Sequence, residues 1–60
     1  MDDFKKLINL VDKFNNLSLA RRNVERSKKI KMIILGDDGK YWVGSPAVTE
    51  QLYKMGYEYA

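Results

Sequence analysis

The 60 residues read as one small α+β domain with the element order α-β-β-α-β. Three features predict this. Ile30, Met32, Ile33, Ile34 and Leu35 precede the turn Gly36-Asp37-Asp38-Gly39, and Tyr41, Trp42 and Val43 follow it; β-branched and aromatic runs on either side of turn chemistry mark a β-hairpin. Ahead of the hairpin, apolar residues recur at helical spacing. Behind it, a Ser-Pro pair opens a second helical pattern. The single domain, residues 1–60, then divides into a helical region over 1–28, a hairpin over 30–44, a helix over 46–55 and a short strand over 57–60.

Phe4, Leu7, Val11 and Phe14 alternate spacings of three and four, with Ile8 and Leu10 alongside, as the apolar stripe of an amphipathic helix does. Asp2 or Asp3 is a good cap, and both put negative charge at the positive end of the helix dipole. The expected helix covers residues 3–15 at least. Asn15-Asn16 is a weak point where the chain can break and restart, with Asn16 or Ser18 as a new cap. Leu17, Ala20 and Val24 continue the stripe, which favours one long or slightly interrupted helical region to about residue 27. An a/d repeat of Phe4, Leu7, Val11 and Phe14 runs out at Ser18 and Arg21, too soon for a coiled coil.

In the hairpin, a type I turn over Asp37-Asp38 followed by a left-handed Gly39 makes a three-residue loop that sets Ile34 opposite Trp42 and Leu35 opposite Tyr41. A two-residue turn at Asp38-Gly39 is the other register, and it would exchange Trp42 with Tyr41 and Val43 between the faces. In the first register one face carries Ile30, Met32, Ile34 and Trp42. The other carries Ile33, Leu35, Tyr41 and Val43, with Lys29 and Lys31 at its outer end. Neither face is polar, so the sheet requires cover on both sides.

Ser45 is placed to cap the last helix, and Pro46 takes its first position, where a missing N–H costs nothing. Val48, Leu52 and Met55 form its inward stripe, flanked by Ala47 and Tyr53, and Glu50 pairs with Lys54 on the surface. Gly56 ends it as a left-handed cap. Residues 57–60 alternate tyrosine with glutamate as a short third strand. It is expected beside the 30–35 strand, parallel to residues 40–43 after a right-handed crossover, in a small mixed sheet.

A chain this short buries only about 60% of the surface its unfolded form exposes, so its stability needs a supplement. Cysteine and histidine are both absent, which excludes disulfides and the common zinc sites and leaves self-association. The lack of cysteine fits a reducing compartment, and the acidic start at Asp2-Asp3, with no uninterrupted apolar run, resembles neither a signal peptide nor a membrane span. The expectation is a cytoplasmic protein.

Catalysis has little to work with. The usual neutral-pH base and the best protein nucleophile are the two missing residue types. Asp37-Asp38 is explained as turn chemistry, lacks the spaced oxygens of a calcium loop, and the glycines match no phosphate-binding pattern. No enzyme activity, cofactor, metal or small-molecule substrate is expected.

Binding is the remaining class, with two surfaces to carry it. The first is contact with a second copy, as a homodimer, or with a protein partner in an accessory or regulatory role. Its residues are Ile33, Leu35, Tyr41, Trp42 and Val43 of the hairpin and Tyr57 and Tyr59 of the last strand, whose open edge invites pairing. The second is nucleic acid. Residues 21–31 hold six basic side chains, Arg21, Arg22, Arg26, Lys28, Lys29 and Lys31, against Glu25, a net +5. The first twenty residues are neutral, and residues 32–60 carry −2. Such a block suits a phosphate backbone, with Tyr41, Trp42, Tyr57 and Tyr59 as stacking platforms, although no helix-turn-helix, ribonucleoprotein or zinc-finger pattern accompanies it. Glu25 is spaced to pair with Arg21 and Lys29 and so to neutralise part of it. The first helix mixes aspartates with lysines on its polar face, unlike a membrane-surface helix.

Overall fold

The computed structural model describes residues 3–60. The elements follow as α1 (Asp3–Asn9), β1 (Asp12–Phe14), α2 (Leu17–Arg26), β2 (Met32–Leu35), β3 (Tyr41–Gly44), α3 (Pro46–Lys54) and β4 (Glu58–Tyr59). The strands form one sheet in the order β1-β3-β2-β4, and every neighbouring pair is antiparallel. The α+β class is as expected; the sheet has four strands among the described residues and is not mixed.

The hairpin takes the three-residue register. Ile34 lies opposite Trp42 and Leu35 opposite Tyr41. The Gly36 N–H donates to the Lys40 carbonyl at 2.8 Å, and Gly39 is left-handed at φ +80°, a conformation only glycine adopts without strain. The Asp38 carboxylate fastens the loop by accepting from the Lys40 N–H at 3.0 Å and from the Trp42 indole N–H at 3.1 Å. Gly36 makes this possible: a Cβ there would fall on the indole ring and within 2.7 Å of that carboxylate.

The long or slightly interrupted helical region is corrected to two helices with a strand between them, and the alternative restart at Asn16 is the one found. α1 stops at Asn9 in a tight turn, with the Leu10 N–H on the Leu7 carbonyl at 3.0 Å. The chain then runs as β1 along the outer edge of β3, Asp12 opposite Val43 and Phe14 opposite Tyr41. It restarts at Asn16, whose side chain accepts from the Leu19 N–H at 2.9 Å as the cap of α2. Pairing with a free strand edge satisfies backbone groups that β3 would otherwise leave open, and this outweighs an apolar spacing that only suggests a helix. Asp2, the other cap candidate, lies outside the described residues.

Smaller departures follow the same logic. The first hairpin strand begins at Met32, and Ile30 is 77% exposed in the connection before it. The last strand is only Glu58–Tyr59; it lies beside β2 as expected, with the Ala60 N–H on the Ile33 carbonyl at 3.0 Å. α3 begins as expected, Ser45 capping and Pro46 leading, and Gly56 follows it at φ +110°. Its inward stripe differs, since Met55 is exposed and Thr49 is fully buried, its hydroxyl donating to the Ser45 carbonyl at 3.1 Å.

Two helical layers enclose the sheet. On one face Leu7 and Val11, from α1 and the turn after it, and Leu52 of α3 pack on Ile34 and Trp42, with Phe4, Ile8, Val48 and Tyr57 around them. On the other face α2 lies against β1, β2 and β3, and Ala20 and Val43 are buried. Ile34 is 0% exposed, Trp42 1% and Val43 1%. The cover demanded by a sheet apolar on both sides is therefore supplied by the chain itself.

Candidate nucleic-acid interface

The basic block is built by α2 and the loop after it. Asn16 at one end and Ser27 at the other fix the helix, with the Ser27 N–H on the Val24 carbonyl at 3.2 Å and the Ser27 hydroxyl accepting from the Lys29 N–H at 3.2 Å. Burying Ala20 against the sheet turns Arg21, Arg22 and Arg26 outward, and Lys28 and Lys29 continue the surface; all five are exposed. Arg26 in the last turn also complements the helix dipole. Lys31 differs: it is half-buried, and its Nζ lies 4.0 Å from Asp12 on β1. Glu25 does not pair with Arg21 or Lys29, and no described carboxylate lies within ion-pair distance of the five exposed cations. The paired surface charges of α3, Glu50 and Lys54 at 3.6 Å, show the contrast.

The hairpin and C-terminal residues are dispersed. Trp42 and Val43 are buried, Ile33, Tyr41 and Tyr57 half-buried, and Leu35 and Tyr59 exposed. They do not form one accessible face. As stacking platforms the aromatics are largely engaged: Tyr57 lies between Phe4 at 5.9 Å and Trp42 at 5.2 Å, Tyr59 stacks on Tyr53 at 5.3 Å, and Lys13 sits over the Trp42 ring at 5.2 Å. The Tyr57 hydroxyl donates to Asp37 at 3.1 Å. Desolvation, with that bond and the negative charge of Asp37 and Asp38, raises its pKa above the ordinary tyrosine value.

Among the depressions lined by the described residues, two stand out. One, of about 450 Å³, is lined by Leu35, Gly36, Asp37, Met55, Gly56, Tyr57 and Glu58, which set two carboxylates beside apolar side chains. The other, of about 270 Å³, lies between β1 and α2 and is lined by Phe14, Leu19, Arg22, Asn23 and Arg26. Sequence reasoning misses the second, because it places Phe14 on a helix; the Asn15-Asn16 break is the signal that separates Phe14 from α2.

Among the described residues, no helix is long and apolar enough to cross a membrane. Comparisons with protein-family models, with curated proteins and with solved structures give no match.

Proposed function

We propose that the protein is a non-catalytic nucleic-acid-binding protein that engages the phosphate backbone through α2 and the loop after it. One observation supports this reading above the others: Arg21, Arg22, Arg26, Lys28 and Lys29 share a stretch of nine residues, all exposed and none paired with a described carboxylate. Cations held apart from acids keep their full attraction for phosphate, and binding then releases the counterions condensed on the nucleic acid. Titration of labelled oligonucleotides at two salt concentrations tests it. Affinity is expected to fall as salt rises, with a log–log slope of about 0.9 per phosphate neutralised on duplex DNA. Replacing Arg21, Lys28 and Lys29 together by glutamine should flatten that slope by roughly 0.9 for each phosphate no longer neutralised. Binding that ignores salt, or no binding to any oligonucleotide, would overturn the reading.

A second reading, contact with a second copy or another protein, rests on a different observation. Leu35 (39% exposed), Met55 (48%), Tyr53 (55%) and Tyr59 (38%) are apolar or aromatic residues left accessible around β4 and the end of α3. These residue types are common at protein contacts. The edge of β4 itself offers little, because a two-residue strand is one of the ways proteins blunt an edge. Concentration-dependent growth in sedimenting mass, abolished by Tyr53→Lys with Met55→Lys, is the result this reading requires.

A further inference from the structure

The groove between β1 and α2 adds a property that a cationic surface alone lacks. β1 is one of the two edge strands of the sheet, so the groove opens at the sheet margin. Phe14, half-buried, forms one wall from β1, and Leu19, Arg22, Asn23 and Arg26 form the other from α2. Arg22 and Arg26 stand one helical turn apart, about 6 Å along the axis, and neither is ion-paired with a described carboxylate. The Asn23 Oδ1 is buried and receives no hydrogen bond from the described residues, a deficit that a structure normally makes good with a partner.

An aromatic wall, two exposed guanidinium groups and an amide answer the parts of one ligand. An unpaired nucleotide has a flat face for the ring, phosphates for the arginines and base-edge N–H groups for the amide. A duplex offers the phosphates but keeps its base faces stacked inside. An acidic peptide offers the charge but no flat face. Resting on the nucleic-acid reading above, we propose that this groove receives one unpaired base of a single strand. Phe14 is the stacking wall, Arg22 and Arg26 hold the flanking phosphates, and Asn23 lines the groove beside them. The protein is then selective for single-stranded over duplex nucleic acid.

The experiment compares a labelled single strand with its duplex by fluorescence anisotropy at two salt concentrations, on the wild-type chain, on Phe14→Leu and on Lys28→Gln/Lys29→Gln. Leucine keeps apolar bulk at the sheet margin and removes only the aromatic face, and circular dichroism reports that the fold persists. The wild-type protein is expected to prefer the single strand by tenfold or more. Phe14→Leu should lose about tenfold in single-strand affinity, within the range of one base–aromatic stack, and leave duplex affinity unchanged. Lys28→Gln/Lys29→Gln, outside the groove, should weaken both. Equal salt-dependent affinity for both forms, or a Phe14→Leu variant that loses both alike, overturns the groove proposal while the nucleic-acid reading stands. No oligonucleotide binding overturns both. Equal affinity for a polyglutamate peptide overturns the groove proposal in favour of an acidic protein partner.

Discussion

Asp38 shows how much one surface side chain contributes to the hairpin. Desolvation opposes its ionised form, but the Lys40 N–H and the Trp42 indole donate to it and Lys13 adds positive charge; the balance lowers its pKa below the ordinary carboxylate value. A group with a depressed folded-state pKa stabilises the fold above its unfolded pKa, about 3.9, and loses that contribution as pH falls through the folded value. The urea midpoint of the wild-type chain should therefore exceed that of Asp38→Ala at pH 7 and approach it under strong acid. An unchanged gap at both pH values would remove the carboxylate from the account. Its neighbours allow stronger tests. Gly36→Ala drives a methyl into the indole ring, and overpacking of this kind costs about 1–3 kcal/mol. Trp42→Ala empties a site that is 1% exposed, at about 3–5 kcal/mol. Both are read from denaturant unfolding, and a neutral Trp42→Ala would contradict the packing described.

Elements differed in how far they could be read from residues alone, according to how local their causes are. The β2–β3 hairpin and α3 rest on turn and cap chemistry contained within a few residues, and both came out legible: Gly39, Ser45, Pro46 and Gly56 stand where their backbone preferences require. β1 was not legible. Asp12-Lys13-Phe14 is too short to show a strand period, and Phe14 continues the spacing of Phe4, Leu7 and Val11; only the free edge of β3, distant in sequence, makes it a strand. The candidate interface divides similarly. The cations were plain from composition, whereas the groove depends on Phe14 being on β1. Asn16→Ala separates the two descriptions of this segment. In an unbroken helix alanine would raise stability, since it is the better helix former. As the cap of α2, Asn16 should cost about 0.5–2 kcal/mol when replaced, measurable by thermal unfolding.

For the molecule as a whole, the two helical layers remove the physical need for an outside cover. Sedimentation at micromolar concentration is expected to give a species of 7.0 kDa; twice that mass would return the second reading to the front. Charge is also unevenly placed, with six of the eleven basic residues on α2 and its loop, while Asp37, Asp38 and Glu58 sit at the far end of β2. Among the described residues, α2 packs on β1, β2 and β3 on the Val43 side of the sheet. The helix that keeps water from Val43 is the same helix that a bound strand would grip, so an oligonucleotide there would act as a splint across the roof of the domain. Saturation at a hundredfold excess over Kd should raise resistance to heat by the equivalent of about 2.7 kcal/mol. Amide exchange would slow most along residues 17–26, the part held from both sides.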